Sequence, residues 1–284
     1  MAMMVGNSAQ HARDRISHIL MASTIFALIA AGITLMALPL LMTFYISFFS
    51  DGVISFPPSG YTLSWYERLG SFPDLFESMS ASIRIASVST GLSLLLGVPA
   101  SIGLVRYRFP GRAMLNVFLL SPLTVPGLVI GLGIYALMTE VEISTGVPLV
   151  GSWSALIIGH LLITLPWTIR LCAANLLHLN MAVEEAAANL GASPGRVLWH
   201  VTLPMMRHGI VAAALFAFIV SFENIELTLF LISPGVVTFP ISVLQYLEYR
   251  VDPLVAAVAV AQTAVIAVIL LIIDRYIKLN RIVQ

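Results

Sequence analysis

Long apolar stretches separated by short polar segments dominate the pattern of hydrophobic and polar positions along the chain. A helix needs about 20 apolar residues to cross a bilayer. Runs of sufficient length lie at residues 19–49, 82–105, 113–139, 152–174, 209–233 and 254–273. They lack the alternating polarity of barrel strands, and a backbone in lipid must satisfy its own hydrogen bonds. The pattern therefore predicts an all-α membrane protein with six transmembrane helices.

Composition and charge predict how these helices are oriented. Hydrophobic residues make up 59% of the 284 residues and charged residues only 10%, which is too apolar for an ordinary soluble domain. Of the 14 lysines and arginines, all but Arg68, Arg84 and Arg250 fall on the side that carries both termini. By the positive-inside rule, this side is cytoplasmic. We therefore expect a cytoplasmic segment over residues 1–18, a single transmembrane domain over residues 19–274 and a cytoplasmic tail over residues 275–284.

Proline and glycine mark irregular places in the third span. Pro122 and Pro126 each remove a backbone hydrogen bond, and Gly127 and Gly131 allow another helix to approach closely. We predict that this span is kinked and packed at a helix interface. The basic segment of residues 106–112 is predicted to be a tight turn, because its Pro-Gly pair stops the preceding helix.

The loop between the fourth and fifth spans, residues 175–208, is predicted to be folded. Asn180 can cap a helix whose first turns carry Glu184 and Glu185, where negative charge suits the helix dipole. The three alanines at residues 186–188 favour a helix and leave it a thin surface. This first helix of the loop should therefore be able to seat closely against another surface.

A glycine is predicted to separate this helix from a second one. Gly191 stands where a helix ends in the left-handed conformation, and Ser193 and Pro194 offer an N-cap and a first helical residue. We expect the second helix to be short and to end before Pro204. Because such an element outside the membrane buries little in its own chain, we expect it to bind a partner.

The same loop contains a motif that resembles that of a known family. Glu185-Ala186-Ala187, three residues, Gly191, nine residues and then Val201-x-Leu203-Pro204 resemble the EAA motif of permease subunits of binding-protein-dependent ABC importers. Six of the seven fixed positions match, and Val201 replaces the usual isoleucine conservatively. Six spans, inside termini and a loop between the fourth and fifth spans are also similar to that family.

This resemblance implies a function and a set of partners. It implies that residues 184–190 form a coupling helix that sits in a groove of a separate ATPase subunit, which is present as a dimer. It also implies a second homologous permease, a periplasmic or lipid-anchored solute-binding protein and a location in the bacterial inner membrane. The residues expected to couple to the ATPase are Glu184, Glu185, Ala186, Ala187, Gly191, Val201, Leu203 and Pro204. Closure of the ATPases would move the helix and swing the spans between inward-open and outward-open states.

Other chemistry is not expected in this chain. Residues 191–195 fit the G-x-S-x-G pattern of hydrolases, but that pattern needs a preceding strand, so we interpret Ser193 as a helix cap. The single lysine, Lys278, lacks the glycines of a phosphate-binding loop, and no histidine pair has the spacing of a metal site. We therefore expect a non-catalytic subunit with no cofactor, no metal and no nucleic-acid partner. An ion-coupled transporter or channel is the alternative hypothesis.

Acidic side chains inside a span are costly, which makes them candidates for a substrate pathway. Glu223 and Glu226 are three residues apart in the predicted fifth helix, which would place them on one face with Asn224 beside them. They could stabilise a cation in transit. They could equally belong to an interhelical hydrogen-bond cluster, with one carboxyl group protonated or paired to Arg84.

Several further stretches resemble one branch of the family, the second permease of spermidine/putrescine-type importers. These are residues 106–112, 221–224, 228–231 and 249–253. The resemblance implies a heterodimer of permeases and a polyamine or related cationic or zwitterionic nitrogen compound as the transported solute. The acidic residues of the predicted outer loops favour the same class of solute.

Overall fold

The structure, a computed structural model, describes residues 2–70, 73–232 and 235–277. These residues are helical apart from turns, loops and isolated bridge residues, among them the antiparallel pair of Phe49 and Tyr61, which confirms the all-α fold class. Ser233, at the end of the fifth predicted span, lies outside this range. The predicted C-terminal tail from Lys278 onwards also lies outside it.

The longest connection of the described chain, residues 47–63, lies between the first two of its twelve α-helices. They are α1 (Ala2–Ile46), α2 (Ser64–Leu69), α3 (Pro73–Arg106), α4 (Arg112–Leu120), α5 (Gly127–Thr145), α6 (Trp153–His178), α7 (Met181–Asn189), α8 (Pro194–Val197), α9 (Leu203–Phe222), α10 (Thr228–Leu231), α11 (Phe239–Tyr249) and α12 (Pro253–Ile277). A 3-10 helix covers Ser121–Thr124, and a π-helical turn covers Leu198–Thr202.

Five helical segments of the described chain are long and apolar enough to cross a membrane. They are Leu20–Ile46, Asp74–Arg106, Gly127–Thr145, Trp153–His178 and Pro194–Phe222. The apolar stretch described in α12, Pro253–Val268, is shorter than these five. The chain is therefore a multi-pass membrane protein, and the sixth span remains a prediction.

The third predicted span differs from the structure. One continuous helix over residues 113–139 is wrong, because that stretch contains α4, the 3-10 helix and only the first part of α5. Pro122 and Pro126 cause the interruption, since neither has an N–H to donate to the preceding turn. The predicted kink is confirmed, and the membrane-length helix begins only at Gly127.

The described chain forms two compact units. One contains α1, α2 and the part of α12 that ends at Ala267. In this unit the Trp65 indole is 7% exposed, and its Nε1–H donates to the Phe49 carbonyl at 2.7 Å. The hydroxyl groups of Ser47 and Tyr66 lie 2.7 Å apart. Both contacts fasten α2 to the end of α1.

The other unit contains α3 to α11 and is built on the mutual packing of α3, α6 and α9. Hydroxyl groups link α3 to α6, because Ser93 Oγ and Thr168 Oγ1 lie 2.6 Å apart and Ser89 donates to the Ile157 carbonyl at 3.3 Å. Gly97 faces Thr168 so closely that the two helices nearly touch. Small and hydroxyl-bearing residues are the usual means by which helices associate in lipid.

Two apolar clusters fill this three-helix core. The first lies beside the 175–208 loop and consists of Val98, Cys172, Leu176, Met206 and Ala213. The second lies nearer the opposite ends of the helices and includes Ile85, Ile134, Leu156, Leu227 and Leu231. The core therefore extends from the loop at one end to the segment that follows α9 at the other.

The close approach at Gly97 gives a test of this packing. A Cβ atom on Gly97 would lie 2.7 Å from Thr168 Cγ2, and Thr168 cannot easily turn away because its hydroxyl group is paired with Ser93. We expect Gly97→Ala to destabilise the chain by about 1 kcal/mol or more and to lower its thermal unfolding midpoint in detergent. In Gly103→Ala, the matched control on the same helix, the added Cβ meets nothing within 4 Å. Equal midpoints for the two variants would contradict this packing.

Candidate functional site

The first helix of the 175–208 loop begins as its sequence predicts. Asn180 has an extended backbone, and its Oδ1 accepts a hydrogen bond from the Ala182 N–H at 3.0 Å. Glu184 lies in the first turn of α7, where its charge opposes the exposed N–H groups of the helix start. The predicted cap and the predicted helix are both confirmed.

The end of α7 is a complete Schellman motif. Gly191 has a φ of +88°, and its N–H donates to the Ala188 carbonyl at 2.9 Å. The Ala192 N–H donates to the Ala187 carbonyl at 3.1 Å. This pair of bonds satisfies the last carbonyls of the helix and turns the chain sharply. The predicted left-handed glycine is confirmed.

The second helix of the loop is only partly as predicted. Pro194 begins α8 and Ser193 is its N-cap residue, but the Ser193 side chain makes no capping hydrogen bond, so that part of the prediction is wrong. An end before Pro204 is also wrong, since a π-helical turn carries the chain directly into α9. Pro204 lies just after this π-helical turn, whose wider backbone spacing accommodates the N–H that proline lacks.

Most of α7 is turned outwards. None of its residues is buried. Glu185 and Ala186 are exposed, Met181 and Val183 are about half exposed, and Leu190 just after the helix is 90% exposed. This surface combines apolar groups with a carboxylate.

The Glu184 side chain, in contrast, is turned towards its own chain. Its Oε2 lies 3.0 Å from Nε of Arg106 at the end of α3, which is an electrostatic contact without an aligned hydrogen bond. Its Oε1 accepts hydrogen bonds from Arg106 Nη2 at 3.3 Å and from the Thr202 hydroxyl group at 3.0 Å. The Arg106 and Glu184 side chains are only 12% and 13% exposed. We call these three residues the Arg106–Glu184–Thr202 cluster.

The remaining residues of the EAA-like motif lie beside α7 at the start of α9. Val201 and Pro204 line a groove of about 420 Å³ together with Val183 of α7 and the basic side chains of His200, Arg207 and His208. Leu203 is half-buried and packs on the first apolar cluster of the core. The structure thus places Val201, Leu203 and Pro204 at the base of the loop, while Glu185 and Ala186 are on its surface.

The fifth predicted span is interrupted where the sequence suggests a continuous helix. Helix α9 ends at Phe222, Glu223 is its C-cap residue, and α10 begins only at Thr228. Glu223 and Glu226 are therefore not on one face of one helix, and that prediction is wrong. Both side chains are exposed on the intervening segment, which we call the 223–227 break.

Polar contacts hold the 223–227 break in place. Asn224 Oδ1 accepts a hydrogen bond from the Leu227 N–H at 3.0 Å, and the Asn224 carbonyl accepts one from the Thr228 hydroxyl group at 2.8 Å. His160 of α6 is buried and spans the break, with Nδ1 2.8 Å from Ser221 Oγ and Nε2 3.1 Å from Thr228 Oγ1. Since the Thr228 hydroxyl group donates its proton to the Asn224 carbonyl, its oxygen is able to accept a hydrogen bond from Nε2 of the imidazole.

The glycines of the third predicted span pack against this break, as predicted. A Cβ on Gly131 would lie 3.0 Å from the Leu227 backbone, so α5 and the break are in direct contact. The side chain of Glu226 lies against Gly127 at the start of α5. A helix N-terminus favours a neighbouring carboxylate, so this position suits the charge of Glu226.

The comparisons with known proteins define the class of this chain. Residues 89–280 match the family of binding-protein-dependent transport system inner membrane components. This chain belongs to that family, and it is a permease of an ABC importer. In this family the permease is non-catalytic and a separate subunit hydrolyses ATP, which excludes the hydrolase hypothesis for Ser193 and disfavours an ion-coupled transporter.

Individual relatives include polyamine permeases. The putrescine transport system permease protein PotI of Escherichia coli is 28% identical over 229 residues, which are 80% of this chain and 81% of the relative. The spermidine/putrescine transport system permease protein PotC of Haemophilus influenzae is 28% identical over 200 residues, 70% of this chain and 76% of the relative.

Solved structures of ABC transporters share the fold. A chain of a bacterial ABC transporter involved in import of the acidic polysaccharide alginate has a TM-score of 0.68 at 16% identity, covering 93% of this chain and 97% of that one. A chain of the MetNI methionine ABC transporter has a TM-score of 0.58 at 18% identity, covering 72% and 94%.

Three residues with defined contacts in these sites were not among those singled out from the sequence. Arg106 and Thr202 hold Glu184, but they are 78 and 18 residues away from it along the chain, so no local pattern connects them. His160 holds the break. A histidine within an apolar span is a usable signal, because an ionisable side chain there needs partners.

The left-handed conformation of Gly191 gives a prediction for the loop. A Cβ on Gly191 would meet nothing within 4 Å, so the cost of Gly191→Ala is conformational and amounts to about 1 kcal/mol. We expect about fivefold faster amide hydrogen exchange over residues 186–192 in this variant. Gly195→Ala is the matched control, because its Cβ also meets open space and its φ is ordinary. The same exchange rates in both variants would contradict the role of the turn.

Proposed function

We propose that the 175–208 loop couples this permease to a separate ATPase and that the exposed face of α7 is the contact surface. The observation that carries this proposal is the division of α7 into two sides. Glu184 is held by its own chain, whereas Glu185, Met181 and Leu190 are exposed. Exposed apolar groups around a charge are typical of a surface that a partner covers.

The proposed ATPase contact is one part of a larger proposed assembly. It contains two ATPase subunits, a second homologous permease and a periplasmic or lipid-anchored solute-binding protein. The chain lies in the bacterial inner membrane with six spans, both termini and the 175–208 loop in the cytoplasm. Membership of the binding-protein-dependent family supports this set of partners. The excess of lysine and arginine on the same side supports the orientation.

The proposed cargo is a polyamine or a related cationic or zwitterionic nitrogen compound. Similarity to putrescine and spermidine/putrescine permeases supports this class. The exposed carboxylates of Glu223 and Glu226 at an interruption in a span support it as well, since broken helices commonly form solute sites in transporters. We assign Glu223, Asn224 and Glu226 to the substrate pathway.

A cavity at the far end of α3 fits the same cargo. It measures about 450 Å³, and its lining includes Asp74 and Glu77 of α3 together with Tyr246 and Tyr249 of α11. Carboxylates and aromatic rings are groups that attract organic cations. From Glu77 to Arg106, α3 extends roughly 44 Å at 1.5 Å per residue. This length supports a position for the cavity across the bilayer from the 175–208 loop, on the side from which a binding protein would deliver solute.

Charge reversal on the exposed face tests the coupling role. We expect Glu185→Lys to lower binding-protein-stimulated ATP hydrolysis by the reconstituted transporter about tenfold or more, because a repulsive charge would enter the contact with the ATPase. Insertion of the chain into the membrane should not change. Glu140→Lys, another exposed site, on α5, is the control and should behave like the parent. Normal stimulation in the Glu185→Lys transporter would refute the proposed contact.

Neutralising the two glutamates of the 223–227 break tests whether they interact with a cationic cargo. We expect Glu223→Gln together with Glu226→Gln to lower uptake of labelled putrescine into proteoliposomes about fivefold, the size of an exposed charge interaction. The control is Glu67→Gln with Glu140→Gln, two exposed carboxylates outside the break and outside the lining of the cavity. Uptake equal to that of the control would refute the assignment of both glutamates to the substrate pathway. If the parent transports neither putrescine nor spermidine, the polyamine assignment itself is wrong.

A further inference from the structure

The Arg106–Glu184–Thr202 cluster joins three separate elements of the chain at one carboxylate. Arg106 is the last residue of α3, Glu184 lies in α7, and Thr202 ends the π-helical turn that leads into α9. Thr202 is 5% exposed, and the two charged side chains are almost as well covered. A carboxylate in such surroundings is held more firmly than one in water, because the effective dielectric constant is lower.

Helix α7 has few other attachments to the body of the protein. It buries no residue of its own, and its Asn180 cap and the turn at Gly191 are bonds within the loop. Its packing contacts are with α8 and with the π-helical turn. The contact with Arg106 is therefore a direct link between α7 and a membrane-length helix that is remote in sequence.

The helices that receive this link belong to the central core of the unit. Arg106 is the last residue of α3, and the chain continues from Thr202 into α9. Both helices pack on α6 and on each other. A displacement of α7 would reach α9 along the chain, and it would reach α3 directly through the contact between Glu184 and Arg106. Two adjacent carboxylates thus have different environments, with Glu184 facing the core and Glu185 facing out.

We propose that Arg106, Glu184 and Thr202 are positioning residues that transmit movement of α7 to α3 and α9. This inference rests on the proposed function, in which an ATPase moves α7. The cluster makes α7 and the loop ends of α3 and α9 move as one body, so that the ATPase contact at Glu185 controls the spans. Glu184 itself does not touch the ATPase.

Charge exchange across the pair is the test. Arg106→Glu and Glu184→Arg, each alone, place two like charges together and should lower binding-protein-stimulated ATP hydrolysis about tenfold. The variant with both changes restores an opposite pair and should recover to within about threefold of the parent, a loss of less than 1 kcal/mol. The assay uses the complete transporter in proteoliposomes with its own binding protein as purified from cells. Co-purification of the ATPase shows that each variant assembles.

Two further variants separate this inference from the proposed function. Glu184→Gln keeps the shape of the side chain but removes its charge, so it should fold and still lose several-fold in stimulated hydrolysis relative to basal hydrolysis. Glu185→Arg should not be rescued by Arg106→Glu. Parent-like coupling in assembled Glu184→Gln, or no recovery in the exchanged pair, overturns the inference even if Glu185→Lys uncouples as expected. Parent-like coupling in Glu185→Lys instead overturns the proposed ATPase contact.

Discussion

Close packing of α3, α6 and α9 is the interaction on which the rest of the larger unit depends. Lipid offers no hydrophobic gain when apolar helices meet, so their association needs close fit and internal hydrogen bonds. Gly97 lets α3 reach Thr168 of α6, and the Ser93 hydroxyl group pairs with the same threonine at 2.6 Å. At the loop end, Gly209 of α9 lies directly against Asn175 of α6, which brings the two ends of the 175–208 loop together.

Each departure from regular helix has substitute hydrogen-bond partners, as a backbone in lipid requires. At the 223–227 break, Asn224 accepts from the Leu227 N–H, and the buried imidazole of His160 joins Ser221 to Thr228. At the start of α9 the π-helical turn allows Pro204 to follow without a lost bond inside a helix. The hydrogen bonds of Asn224 hold the 223–227 break in one conformation between α9 and α10.

Acidic side chains adjoin both proposed sites of this protein. Glu184 and Glu185 adjoin each other in sequence, yet one is paired inside the chain and the other is exposed. Glu223 and Glu226 are exposed on both sides of Asn224. The proposed ATPase contact and the proposed solute pathway therefore lie at opposite parts of the same core, and α3, α6 and α9 connect them. Membership of the importer family is consistent with an ATPase contact at one end of the core and a solute pathway at the other.

The sequence by itself determined the membrane class, the helical fold, the Asn180 cap, the Gly191 turn and the EAA-like motif. All of these depend on composition or on residues a few positions apart, which local sterics and hydrogen bonding decide. The same is true of the kink at Pro122 and Pro126. Tertiary structure decided that α9 stops at Phe222, because neither Phe222 nor Glu223 is a helix-breaking residue and His160 of another helix holds the two ends of the break. It also decided the partner of Glu184, since Arg106 comes near only when α3 and α9 have packed on α6.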